Sequence, residues 1–386
     1  MSALPIPSQA LLAYSQQLSD LVQQQIKKSG GWISFADFMH MALYTPELGY
    51  YSGGLQKFGD LKQGGGDFVT APEISPLFSQ ALAKQVDQVL KATQGDVLEL
   101  GAGTGKLAVD LLLALNQLGQ LPNHYYILEV SSHLRSVQRE NLQKVLPKSI
   151  FNRMHWLDEL PQQFTGCVLG NEVLDAIPVH MLIKQDGKMM ERGVTFDSGF
   201  KWQDQDLMTD LVGDAFDIET IPEGYLTEVC PGSVGLINSL ANVLNYGALL
   251  MIDYGFGATE YYHPQRNQGT LMCHYQHYAH SDPFQYIGLQ DITAHVNFSA
   301  IAEVATLQGL ALEGYTNQAQ FLMNCGILDL LSQQTADETK YAAFAAGVQK
   351  LLSPAEMGEL FKVIAFSKGI EETMLGFVKG DKTHTL

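Results

Sequence analysis

Asp96-Val97-Leu98-Glu99-Leu100-Gly101-Ala102-Gly103-Thr104-Gly105-Lys106 decides how this chain is read. The run Val97-Leu98-Glu99-Leu100 predicts a strand. Lys106 to Leu118 predicts a helix, with Leu107, Leu111, Leu115 and Leu118 on one stripe and Gly119 as its stop. Between them Gly101, Gly103 and Gly105 form a turn that a ligand can approach closely, because no Cβ stands in the way. Strand, glycine turn and helix together are the βα unit with which α/β proteins hold dinucleotides or S-adenosyl-L-methionine.

Downstream, short apolar runs alternate with amphipathic helices. Tyr125 to Val130 is the second strand, and Ser131 can cap the helix that follows it. Met154-His155-Trp156, Cys167-Val168-Leu169 and Ala248 to Ile252 are the next three strands. This is the pattern of a doubly wound, Rossmann-like α/β sheet covered on both faces. About 75 residues separate the fourth strand from the fifth, so that connection must carry structure of its own. Upstream, Leu11, Tyr14, Leu18, Leu21, Val22 and Ile26 predict a helix over 8–28 capped by Ser8. A second helix is expected from Ser34, answered by Asp37 and ending before Pro46, and a third over Ser75 to Leu90. The expected organisation is a mostly helical N-terminal cap over 1–92, including the glycine-rich loop Gly64-Gly65-Gly66, and a core over 93–386. Insertions are expected in that core at about 180–245 and 256–300.

Candidate chemistry gathers at the carboxyl ends of the strands, where such sheets bind ligands. A dinucleotide pyrophosphate favours G-x-G-x-x-G. Here the third glycine comes one residue early and Lys106 takes its place, which tilts the reading toward S-adenosyl-L-methionine. Glu99 adds to the tilt, since a carboxylate beside the turn suits an ammonium and a sulfonium. Glu129, about 25 residues after the turn, can accept both ribose hydroxyls, a placement that nicotinamide enzymes share. Asp158 is a candidate for the adenine amino group, with a solvated loop as the alternative. In Gly170-Asn171-Glu172-Val173-Leu174-Asp175, Asn171 and Glu172 are catalytic candidates, and Asn171 is also a cofactor contact. If Val173 begins a helix, Asp175 falls one turn from Glu172 and two carboxylates face one pocket. An asparagine cap with exposed acids is the alternative.

Composition excludes several other classes. With 46% hydrophobic residues among 386, the chain can bury a sizeable core. Its net charge of −18 repels phosphate backbones, so no nucleic acid is expected as partner, and a small molecule or a basic protein fits better. No apolar run approaches the ~18 residues of a membrane span. The first basic residue is Lys27, unlike a secretory signal or a transit peptide, so a cytoplasmic location is expected. Cys167, Cys230, Cys273 and Cys325 lack paired spacing and read as core thiols. Cys273, His274, His277 and His280 lack a second ligand pair, and no metal is expected.

Several longer stretches carry a family likeness: Tyr44-Thr-Pro-Glu-Leu-Gly-Tyr-Tyr51, Gly66-Asp-Phe-Val-Thr-Ala-Pro-Glu-Ile-Ser75, Leu98-Glu-Leu-Gly-Ala-Gly-Thr-Gly105, Asn171-Glu-Val-Leu-Asp-Ala-Ile-Pro178, Asp253-Tyr-Gly255 and Gln290-Asp-Ile-Thr-Ala-His-Val296. Through these the chain resembles the MidA-type methyltransferases, which include a mitochondrial protein arginine methyltransferase required for assembly of respiratory complex I. The resemblance implies a seven-stranded class I methyltransferase fold and S-adenosyl-L-methionine as cofactor. It implies a protein substrate methylated on arginine, with a respiratory-complex subunit as candidate partner. It also implies a cleft bordered by Asp67, Thr70 and Glu73, by the Asn171-Glu172 edge, and by Asp253 and His295. Asp60 to Gly65 is longer than the family's usual link at that point. Two other functions remain open to the same residues, a nicotinamide-dependent oxidoreductase and a non-catalytic assembly factor that binds the cofactor.

Overall fold

A computed structural model describes residues 4–53, 70–207, 211, 221–334 and 338–386. The chain divides into two compact units. One comprises Met1–Phe68, Asp175–Gly235 and Ala258–His295, and the other Val69–Leu174, Leu236–Gly257 and Val296–Leu386.

In the first unit, helix α1 (Gln9–Lys28) is capped by Ser8, whose side chain accepts the Leu11 amide. Helix α2 (Phe35–Tyr44) is capped by Ser34, which accepts the Asp37 amide at 3.0 Å and donates to the Asp37 carboxylate at 2.8 Å. The long connection after the fourth strand builds an antiparallel sheet. Its order is Trp32–Ser34, Lys188–Phe196, His180–Gln185 and Leu226–Val229, with Phe200–Asp206 also on Lys188–Phe196. Leu18, Phe35, Phe38, Val194 and Ile292 meet in its core. Residues 180–206 therefore join the N-terminal helices in a separate unit instead of decorating the mostly parallel sheet.

The second unit holds strands β1 (Asp96–Leu100), β2 (Tyr125–Leu128), β3 (Met154–Leu157), β4 (Phe164–Asn171), β5 (Leu244–Phe256), β6 (Ala311–Asn317) and β7 (Phe361–Lys368). They lie in the order β6-β7-β5-β4-β1-β2-β3. The first five pair in parallel, and β7 runs antiparallel between β5 and β6. Val296–Asn297 adds a short parallel pairing at the end of β5. From β1 the chain steps outward through β2 and β3, then returns to place β4 on the other side. The crevice of a doubly wound sheet opens at such a reversal, beyond the carboxyl ends of β1 and β4. Val97, Leu98, Cys167, Val168, Ala248, Leu249 and Leu250 are fully buried, as strands covered on both faces require.

Four helices position the crevice: α3 (Ala71–Ile74), α4 (Pro76–Thr93), α5 (Lys106–Gln117) and α6 (Ser132–Val145). The expected cap boundary at residue 92 is replaced by one at residue 68. The reason is α4, whose Leu77, Phe78, Ala81, Leu82, Val86 and Leu90 pack in one core with Val97, Leu169 and Leu250. On α5, Leu107, Leu111 and Leu115 are buried as the stripe predicts, but Leu118 is 44% exposed. The helix ends at Gln117, and Gly119 at φ +73° turns the chain away. Cys167, Cys273 and Cys325 are buried and Cys230 is partly so. Among the described residues no helix is long and apolar enough to cross a membrane.

Candidate functional site

The glycine turn links β1 to α5. Gly103 takes φ +53°, and a Cβ built on it would meet nothing within 4 Å, so the turn faces open space there. Gly105, at φ +83°, is the N-cap of α5 and supplies no side chain to it. Thr104 Oγ1 donates to Glu73 Oε1 at 2.5 Å, which fastens α3 against the turn.

Two carboxylates flank the turn from below. Glu99, on β1, is 2% exposed and accepts the Tyr125 hydroxyl at 2.7 Å. Burial pushes its carboxyl up to about 7; the Tyr125 bond opposes that rise and the charge of Glu129 adds to it. Glu129, at the end of β2, is 4% exposed. Its Oε1 accepts the Ser131 amide at 2.9 Å and its Oε2 the Gln138 side-chain amide at 3.0 Å. Burial raises this carboxyl too, against those two bonds and the nearby Arg135. Once ionised, these two carboxylates make the local field negative, which suits a ligand bearing ammonium and sulfonium charge.

At the end of β4, Glu172 adopts φ +54°, unusual for a residue with a side chain. Its amide donates to Ile252 O at 2.9 Å. Its Oε1 lies 3.1 Å from Asn171 Nδ2 and 3.4 Å from the Ala71 amide. The helix expected from Val173 does not form. The Val173 and Leu174 amides both donate to Asp253 Oδ2, at 3.1 and 2.8 Å, and the chain bends instead of coiling. Asp253 is 1% exposed, and its Oδ1 accepts the Tyr254 amide at 2.9 Å, so it braces the turn from β5. The pairing of Glu172 with Asp175 over one helical turn is therefore replaced by an extended bend. Asn171 Oδ1 is buried and finds no hydrogen-bond partner among the described residues.

The remaining candidates are placed as follows. Asp158 follows β3 with its side chain 90% exposed, in an ion pair with Arg135 at 2.5 Å. Thr70 caps α3 without a side-chain bond, its carbonyl accepting the Glu73 amide at 3.0 Å. Asp67 and the Asp60 to Gly65 stretch lie outside the described residues. Asp175 and His295 belong to the first unit. There the Asp175 carbonyl accepts the Ala294 amide at 3.0 Å, and the His295 amide donates to Thr270 Oγ1 at 3.1 Å. Gln138 and Trp156, which sequence reasoning passed over, touch the site directly: Gln138 Nε2 donates to Gly103 O at 3.0 Å, and Trp156 Nε1 to Gln138 Oε1 at 2.9 Å. The available signal was its place on α6, four residues from both Leu134 and Leu142, on the one stripe that is buried and away from the exposed Gln143.

Comparison with known proteins adds the chemistry. The sequence pattern of a family described as S-adenosyl-L-methionine-dependent methyltransferase matches residues 79–316. The chain is 30% identical over 375 residues to "Protein arginine methyltransferase NDUFAF7, mitochondrial" of Rattus norvegicus, covering 88% of this chain and 81% of the relative. It is 28% identical over 377 residues to the protein of the same name from Homo sapiens, covering 88% and 80%. A crystal structure of a Burkholderia thailandensis protein bound to S-adenosyl-homocysteine superposes with a TM-score of 0.95 at 49% identity, over 100% of both chains. A native crystal structure of a protein from the same organism and superfamily gives 0.91 at 48% identity, over 100% of both. The cofactor is S-adenosyl-L-methionine. The residues present fit it on three counts: the open space over Gly103, the buried carboxylates of Glu99 and Glu129, and the orphaned Asn171 Oδ1.

Proposed function

The chain belongs to the S-adenosyl-L-methionine-dependent methyltransferases, and from that premise we propose that it methylates an arginine side chain of a protein substrate. The relatives named protein arginine methyltransferase support the acceptor, and the net charge of −18 suits a basic partner. The observation that carries the reading is Glu172, a carboxylate held at the carboxyl end of β4 by the Asn171 side chain and the Ala71 amide.

When bound, the cofactor supplies a methyl group on a positively charged sulfur. A guanidinium stays protonated in proteins and its nitrogens are poor nucleophiles. In this reading Glu172 pairs with the guanidinium and draws its charge away from the attacking nitrogen. That nitrogen gains the methyl as the carbon–sulfur bond breaks, the bonding pair staying on sulfur as a neutral thioether, and its proton passes to solvent water. Asn171 holds Glu172 through its Nδ2, and Asp253 holds the bend on which both stand. Much of the rate then comes from alignment, which displacement of one carboxylate destroys.

The test is incubation of the protein with isotopically labelled cofactor and a cell extract, followed by hydrolysis of labelled protein. Methylated arginine is expected. Methyl-lysine or a methyl ester would refute the acceptor, and cofactor binding without any transfer would leave a non-catalytic assembly factor.

A further inference from the structure

Gln138 lies on α6 and is 0% exposed. Its amide makes three bonds: Trp156 Nε1 donates to its Oε1 at 2.9 Å, and its Nε2 lies 3.0 Å from both Gly103 O and Glu129 Oε2. An indole N–H only donates, so it selects which end of the amide faces it. The other end must then turn its two N–H groups outward, one toward the glycine turn and one toward the carboxylate. The reversed amide would set donor against donor at Trp156 and oxygen against oxygen at both other contacts. Trp156 is itself held by the Arg139 guanidinium, 4.9 Å over its ring, and by Phe151 at 6.4 Å between ring centroids.

We propose that Gln138 is a positioning residue for the cofactor: it ties the Gly103 carbonyl to the Glu129 carboxylate, and Trp156 locks it in the one orientation that does so. The proposal rests on the reading that Glu129 accepts the ribose hydroxyls. An ionised carboxylate accepts both hydroxyls, whereas a protonated one loses an acceptor. Burial works against ionisation of Glu129, whose charge in turn raises Glu99 on β1. The Gln138 amide, the Ser131 amide and Arg135 work for it, with Arg135 partly engaged by Asp158. Removing the amide therefore loosens the geometry and raises the pH at which the site is competent.

The test is calorimetric binding of S-adenosyl-homocysteine over about pH 5.5 to 8.5, with Glu129→Gln, Gln138→Met, their double variant and Trp156→Phe beside the wild type. Gln138→Met should weaken binding about tenfold to a hundredfold at neutral pH, as loss of a charge-assisted bond implies. It should also move the midpoint of the affinity–pH curve upward. It should add little in the Glu129→Gln background, and should raise the cofactor KM while kcat at saturation stays within about threefold. Trp156→Phe, which removes the donor to Oε1 and leaves the amide held only by its two Nε2 contacts, should shift the same midpoint with a smaller loss, about threefold to tenfold. If Gln138→Met weakens binding equally at every pH and additively with Glu129→Gln, its role is only structural and the proposal fails. It also fails if Gln138→Met binds normally while Glu129→Gln binds weakly. Normal binding by Glu129→Gln instead overturns the ribose reading itself, and this proposal with it. Should Gln138→Met not fold, an unshifted midpoint in Trp156→Phe overturns the proposal.

Discussion

Asp253 accepts the backbone amide of Leu174 at 2.8 Å through the same Oδ2 that accepts Val173. This carboxylate on β5 fixes the bend that carries Glu172. Asp253→Ala leaves those amides without their acceptor, at about 1 to 3 kcal/mol for each buried group. Denaturant unfolding should register that loss, and methyl transfer should fall with it, while cofactor affinity stays within about threefold. Full activity in a destabilised variant would mean that the bend's geometry is irrelevant to the reaction.

Glu172→Gln tests the carboxylate itself. The amide keeps the shape and loses the charge, so the variant should bind S-adenosyl-homocysteine as the wild type does and lose most transfer, by about a hundredfold or more. A fully active variant would remove Glu172 from the mechanism.

Gly103→Val probes the turn. The side chain would enter the open space that the cofactor needs, at a φ of +53° that a β-branched residue resists. Cofactor binding should vanish while far-ultraviolet circular dichroism changes little. Glu129→Ala should weaken binding by about tenfold to a hundredfold. Unchanged affinity in both variants would place the pocket elsewhere.

Glu99 predicts a pH dependence. Its carboxyl ionises at an ordinary value of 4.5 in the unfolded chain and at about 7 in the fold. Between these values the native state holds a proton that the unfolded state has lost, so stability of the ligand-free protein falls as pH rises through that window. Glu129, also raised, acts with the same sign. A cation in the site favours the ionised form, so affinity for S-adenosyl-L-methionine should rise over the same window. Glu99→Gln should flatten both trends, as unfolding and binding measured at about pH 5 and about pH 7.5 would reveal. A wild type whose stability climbs with pH relative to Glu99→Gln contradicts the assignment.

The sheet strands, the glycine turn and the helices capped by Ser8, Ser34 and Ser131 were legible from the chain alone, because each depends on residues within a few positions of one another. Hydrophobic period, turn residues and a hydroxyl three residues from an amide are local signals. The same locality made Glu99, Glu129, Asn171 and Glu172 readable as strand-end polar residues. The helix expected at Val173 failed because its amides are claimed by Asp253, about 80 residues away, and local propensity cannot anticipate a distant acceptor. Residue 92 misled as a boundary for a related reason: α4 shows an apolar face in sequence, but only packing decides which core receives it. β6 and β7 went unread because their antiparallel pairing depends on partners far along the chain. What the sequence by itself determined is therefore the βα unit, its glycine turn and the caps. What tertiary structure decided is which distant groups meet, Gln138 with Gly103 and Trp156, and Asp253 with Leu174, because a hydrogen bond between remote residues exists only after the chain has folded to bring them within 3 Å or so.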